Sequence, residues 1–266
     1  MKQGRFVSFE GIEGCGKTTQ IALLSDVLAK RSIPHSVTRE PGGTAVGEGI
    51  RKILLHSETI HLTAAAELLL FYASRSQNIL EKIEPSLEKG EMVICDRFYH
   101  ASMAYQGYGR GIPIDLIEKL TDLVCGERRP EITVLLDIEP EIGLSRARAR
   151  NSQRSEDEGR FEMEEISFYS RIRNGYLELA AREPNRIRVI PANRSIQEIH
   201  RDVLKALDLS HAVRRVHRKP ICHQPASYKT ARGSISTRTV VCRSGRRRQT
   251  NLRADARQST ELRGSG

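Results

Sequence analysis

The sequence predicts an α/β fold of three layers, a parallel sheet with helices on both faces plus a lid segment. Three observations lead there. A short apolar run, Phe6-Val7-Ser8-Phe9, is followed by a glycine-rich turn and then by a helical pattern from Gln20 to Lys30. Further short β-rich runs recur along the chain, separated by helical stretches, and several end at a carboxylate. The alternation then stops at about Ser210. Brief apolar strands joined through helices are the mark of parallel strands covered on both faces.

Taken in order, Ser36-Val37-Thr38 reads as a second strand, and about Ala45 to His56 as a helix. A longer helix spans about Thr63 to Lys89, with a break or kink expected at Pro85. Glu91 to Cys95 is a strand ending at Asp96, and Ile132 to Leu136 is another ending at Asp137. Ile187 to Ile190 is the last, followed by a helix from about Ser195 to Leu207. In such sheets ligands gather at the carboxyl ends of the strands. The glycine turn, Thr38-Arg39-Glu40, Asp96-Arg97 and Asp137 all fall there.

The glycine turn, Gly11-Ile12-Glu13-Gly14-Cys15-Gly16-Lys17-Thr18, matches G-x-x-x-x-G-K-[ST] in the strand–loop–helix setting that the motif requires. Gly11, Gly14 and Gly16 let backbone amides turn toward phosphate oxygens, and the helix N-terminus adds partial positive charge. Lys17 reaches the β- and γ-phosphates, and the Thr18 hydroxyl suits Mg²⁺. Asp96 is placed either to hold the metal or to cap its loop. Arg97 beside it suits a second phosphate. Leu144 to Arg160 reads as a lid bearing Arg146, Arg148, Arg150, Arg154 and Arg160. Those arginines either meet a transferring phosphoryl group or form a solvated helix face.

Charge divides the chain. Residues 211–266 carry 14 Lys and Arg against 2 Asp and Glu, so the formal charge of +10 is a +12 tail on a −2 body. The tail, rich in Arg, Ser, Thr and Gly, reads as disordered. It suits at most weak, nonspecific nucleic-acid binding, because Tyr228 is its only aromatic residue. Cysteines 15, 95, 125, 222 and 242 show no C-x-x-C spacing, which fits a reducing cytoplasm. No apolar run approaches the ~20 residues of a membrane span, and no secretory signal is evident.

Several separate motifs make residues 3–209 resemble the bacterial thymidylate kinase family. They are Phe9 to Thr19, Thr38-Arg39-Glu40-Pro41-Gly42-Gly43-Thr44 and Glu67 to Gln77. Asp96-Arg97-Phe98, Ala104-Tyr105-Gln106-Gly107 and Gly175 to Ala180 complete the set. The resemblance implies a P-loop NTPase fold, a homodimer, and transfer of the ATP γ-phosphoryl group to dTMP with Mg²⁺, on the route to dTTP. Residues 1–210 are then the kinase domain.

It also implies site roles. Phe71 stacks on thymine, with core packing as the alternative. Arg75 bonds the base, with capping of a neighbouring loop as the alternative; Tyr105 lies near the deoxyribose, with packing as the alternative, and Gln106 near the base. Arg97 holds the acceptor phosphate, Glu13 sits by the 3′-hydroxyl, and Arg39 and Glu40 border phosphate and metal. Some relatives carry a catalytic arginine in the loop where this chain has Gly14. The lid must then supply it, from Arg148, Arg150 or Arg160. Gly159 stands where relatives often have Asp. Ala101 replaces a hydroxyl, which leaves Ser102 or Gln106 to read the base.

Two other readings use the same residues: a kinase for another nucleoside monophosphate, and a nucleic-acid binder working through the tail. The loop alone is also compatible with a regulatory GTPase, but the Asn/Thr-Lys-x-Asp guanine-reading signature is absent.

Overall fold

A computed structural model describes residues 4–55, 62–151, 161 and 164–210 of the 266-residue chain. The described residues all belong to one compact unit, Met1–Arg215. The tail expected to be disordered, 211–266, lies outside the described residues.

Five parallel strands form one sheet: β1 (Arg5–Glu10), β2 (His35–Arg39), β3 (Met92–Asp96), β4 (Ile132–Asp137) and β5 (Ile187–Pro191), in the order β2-β3-β1-β4-β5. From β1 the chain builds to one side with β2 and β3 and to the other with β4 and β5. β1 therefore ends at a topological switch point, where open α/β sheets bind ligands. The register pairs Phe9 and Arg39 with Asp96, and Glu10 with Leu135. The strand ends carrying Glu10, Arg39 and Asp96 thus lie along one edge of the sheet. Phe6, Val7 and Phe9 on β1, Val93 and Ile94 on β3, and Val134 to Leu136 on β4 are buried, as a sheet covered on both faces requires.

The helices are α1 (Lys17–Lys30), α2 (Ala45–Leu55), α3 (Ala64–Asn78), α4 (Glu84–Glu88), α5 (Tyr99–Ser102), α6 (Ile114–Cys125), α7 (Pro140–Asn151), α8 (Ile166–Arg182) and α9 (Ile196–Ala206). The long helix expected from 63 to 89 is instead α3, a π-helical turn at Ile79–Ile83, and α4. Pro85 lies in the first turn of α4, where its missing N–H costs nothing. Thr63 caps α3 through Ala66 N (3.2 Å), and Ser195 with Glu198 forms a capping box on α9. The lid expected at about 144–160 begins as the second half of α7; 152–160 lie outside the described residues.

A buried polar line crosses the sheet. Ser8 Oγ meets Thr133 Oγ1 (2.9 Å), Thr133 meets His100 Nδ1 (3.3 Å), and His100 Nε2 meets Glu183 Oε1 (3.3 Å). Burial holds the His100 pKa below its ordinary value of 6.5. The unfolded chain therefore binds a proton that the fold resists, and stability tied to His100 is lost as pH falls through and below about 6.5. Glu10, discussed below, works the other way over part of that range. The informative quantity is thus a difference: His100→Gln should flatten the fall in Tm between pH 7 and 5.5 relative to wild type. Parallel Tm–pH curves would show that His100 contributes nothing.

Candidate active site

The phosphate loop runs off the end of β1. Gly16 precedes α1 with φ 97° and no capping side chain, so the first amides of α1 are open to an anion. Cys15 is buried and Thr18 is exposed. Lys17 is buried, and its Nζ donates to Gly11 O (2.9 Å) and Ile12 O (3.1 Å). The ammonium is thus held over the loop, where phosphate oxygens can replace the carbonyls.

Gly14, at φ 70°, lies against α7. A Cβ there would collide with the Gly143 carbonyl oxygen, and a Cβ on Gly143 would lie 2.6 Å from Glu13 O. This glycine-on-glycine contact leaves no room for any side chain at position 14. The missing loop arginine has a steric reason, and the same contact seats α7 on the loop. Arg148 and Arg150 are exposed in the last turn of α7, about 7–11 Å along the helix from Gly143. Arg160 lies outside the described residues.

Arg97 joins the loop to the next pocket. Its Nη1 donates to Gly11 O (2.9 Å) and its Nη2 to Glu13 Oε1 (2.8 Å). Glu13 Oε2 accepts from the Tyr105 hydroxyl (2.6 Å), and the Arg97 guanidinium lies 4.9 Å from the Tyr105 ring centre. Burial works to raise the Glu13 pKa, but the positive charges of Arg97 and then Lys17 outweigh it, and Glu13 stays below the usual carboxylate range.

Beyond Tyr105 the pocket is aromatic. Tyr105 meets Phe161 edge-on at 5.7 Å, and Phe71, half-buried, lies 6.5 Å from Phe161. Arg75 is almost fully buried. Its Nε donates to Glu40 Oε2 (2.7 Å), and its Nη2 to Phe98 O and Ser102 Oγ (both 3.1 Å). Among the described residues its buried Nη1 has no hydrogen-bond partner. Gln106, also buried, donates to Glu67 Oε1 (2.8 Å). Arg39 is turned outward onto Glu48 (2.9 Å), so the structure does not bring it to Arg97.

Three further residues join the site, and no role was assigned to them from sequence, although Glu10 and Glu67 stand inside the motifs Phe9 to Thr19 and Glu67 to Gln77. Glu67 engages both Gln106 and Arg110. Asn78 donates to Glu40 Oε1 (3.1 Å). Glu10, fully buried, accepts from Phe98 N–H (2.7 Å) and the Tyr176 hydroxyl (2.8 Å). Burial pushes the Glu10 carboxyl up to about 7, against the pull of Arg97.

A family profile for thymidylate kinase matches residues 9–203. The chain belongs to the thymidylate kinase family. The thymidylate kinase of Syntrophotalea carbinolica is 48% identical over 197 residues, covering 73% of this chain and 90% of that protein. That of Citrifermentans bemidjiense is 47% identical over 205 residues, 77% of this chain and 91% of that protein. The crystal structure of thymidylate kinase from Ehrlichia chaffeensis superposes with a TM-score of 0.61 at 35% identity, over 77% of this chain and 99% of that one. Thymidylate kinases are nucleoside monophosphate kinases. The five-stranded parallel sheet is accordingly the P-loop NTPase α/β fold.

Proposed function

We propose that residues 1–210 form a kinase domain in which this chain phosphorylates dTMP from Mg-ATP, with the site residues divided as follows. The observation that carries the reading is Arg97, bonded at once to the phosphate loop and to the Glu13–Tyr105 pair. An acceptor phosphate on Arg97 would lie beside a donor phosphate on the loop. Gly11 to Thr18 hold ATP. Phe71 and Tyr105 flank the nucleoside, and Glu13 takes the sugar hydroxyl. The orphaned Nη1 of Arg75 donates to a base carbonyl, which relieves a buried donor otherwise costing about 1–3 kcal/mol. Gln106 reads the base from a position fixed by Glu67.

Thr18 and Asp96 fit a divalent metal. They offer one exposed hydroxyl and one half-buried carboxylate at adjoining strand and helix ends, an all-oxygen set. Among the described residues no cluster of three or more His, Cys, Asp or Glu could cage an ion. That suits Mg²⁺, which keeps waters and shares its sphere with substrate phosphates. When bound, the ion neutralises charge on the donor phosphates.

The protein's own part is positional. The acceptor phosphate oxygen is anionic at neutral pH and needs no strong base. Lys17 and Arg97 hold donor and acceptor in register and offset developing charge. Arg148, Arg150 and Arg160 are the lid candidates for the rest. A homodimer in the cytoplasm completes the reading. It is supported by exposed Val46, Ile53 and Leu69 on the packed pair α2 and α3, and no helix among the described residues is long and apolar enough to cross a membrane.

The test is ADP release with dTMP, dUMP, dCMP, AMP and GMP as acceptors. The highest kcat/KM is expected for dTMP. Preference for any other acceptor would replace dTMP with that nucleotide.

A further inference from the structure

Arg97 is one of three non-glycine residues with positive φ among the described residues, at 68°. Left-handed backbone is unfavourable for a side chain of this kind and persists only where its surroundings hold it. Here the end of β1 holds it from both sides. Arg97 N–H donates to Phe9 O (2.9 Å), and the next amide, Phe98 N–H, donates to the Glu10 carboxylate (2.7 Å). The other Glu10 oxygen is taken by the Tyr176 hydroxyl from α8 (2.8 Å). Glu10 is fully buried, so no water can substitute for it.

Arg97 acts on this carboxylate only through space; its ion-pair partner is Glu13 at 2.8 Å, and the hydrogen bonds to Glu10 come from two neutral donors, the Phe98 amide and the Tyr176 hydroxyl. What Glu10 supplies is an acceptor at a fixed place.

We propose that Glu10 is a positioning residue for the acceptor site: by accepting the Phe98 amide it locks the left-handed backbone at Arg97 and so aims the guanidinium at the acceptor phosphate. The inference rests on the role proposed above for Arg97. Loss of the acceptor lets residue 97 relax toward ordinary φ, which swings its side chain off the line joining Gly11 and Glu13. Nothing in this displaces Lys17 or the open amides of α1, so ATP binding is spared.

Two variants of the full chain separate reach from charge. Glu10→Asp keeps the charge and withdraws the oxygens by one methylene. Glu10→Gln loses the charge, but its amide oxygen can still meet Phe98 N–H while its NH₂ donates to the Tyr176 oxygen. Glu10→Asp is expected to raise KM for dTMP about tenfold, with KM for ATP within about twofold, whereas Glu10→Gln stays within about threefold on both. Arg97→Ala, which raises KM for dTMP in the wild-type background, should add less than about threefold on top of Glu10→Asp, because a misaimed arginine has little left to lose. Unchanged KM for dTMP in Glu10→Asp overturns the proposal, and so does an equal rise for both substrates or a Glu10→Gln defect as large as that of Glu10→Asp. If Glu10→Asp does not fold, hydrogen exchange of the Phe98 amide in the wild-type protein decides. Protection like that of the β1–β3 ladder supports the lock, and loop-like exchange overturns it. An Arg97→Ala variant with normal KM for dTMP would instead strike the Arg97 reading, and the inference with it.

Discussion

Lys17→Ala is expected to lower kcat/KM for phosphoryl transfer by about 10³-fold or more while leaving the protein folded. Removal of one preorganised donor from a transition-state site costs about 10²–10³ in rate, and Lys17 is both a donor and a full charge. Its place explains why the loss should fall on catalysis. The ammonium is buried over the phosphate loop, and among the described residues its hydrogen bonds go only to groups of that loop: Gly11 O, Ile12 O and, at 3.5 Å, Cys15 Sγ. None of these groups takes part in the strand ladders of the sheet. Water entering an empty loop can replace the lost donor, so the stability change should not exceed about 2 kcal/mol. For a domain of this size that is a Tm fall of about 4–8 °C at most. Steady-state kinetics and a thermal melt on one preparation check both halves. A folded variant with near-wild-type turnover would remove Lys17 from the chemistry. A variant that has lost its melting transition would show that the lysine supports the fold instead.

How far the site could be read from sequence depended on whether a residue's partner lies in the same motif. The phosphate loop is local: strand, glycines, lysine and helix are contiguous, and the structure keeps them so. The parallel sheet was implied by the βα alternation, though its strand order was not, and the burial of β1, β3 and β4 follows from their apolar runs. The absence of an arginine at position 14 was visible, but its cause was not. The oxygen that excludes a Cβ belongs to Gly143, more than a hundred residues away on α7. The role of Glu10 was hidden for the same reason, although the residue itself stands in the Phe9 to Thr19 motif. Its partners, Phe98 and Tyr176, come from two other elements, and a buried glutamate has no periodicity to announce it. Arg39 has a partner nearer in sequence, Glu48 on α2, and that ion pair at 2.9 Å has no motif to announce it.

Arg75→Ala carries the second large effect, and the structure alters what it would mean. Arg75 and Glu40 form an ion pair in which both side chains are about 1% exposed. The guanidinium also lies 4.5 Å from the Tyr72 ring centre. Removing one member of such a pair strands the other and costs about 3–5 kcal/mol, a Tm loss of about 6–20 °C. A defect in dTMP use by the single variant would therefore mix misfolding with lost recognition. The variant's own pH dependence should report the stranded charge. Burial already raises the Glu40 pKa, and Arg75 opposes that rise. Without Arg75 the folded state gains affinity for a proton, so the variant should recover stability as pH falls from neutrality toward the unfolded glutamate value of 4.5, a trend weaker in wild type. Glu40→Gln in the same chain removes the stranded charge. Arg75→Ala/Glu40→Gln should therefore regain most of the lost Tm at pH 7.5 and lose the added pH dependence. Recognition should not return with stability. The Nη1 that has no protein partner is the one donor whose function the Glu40 substitution cannot replace. The double variant is expected to keep a KM for dTMP raised about tenfold or more, with KM for ATP little changed. If KM for dTMP returns with Tm, Arg75 is scaffold alone, and selection of the base rests on Gln106 and the aromatic walls.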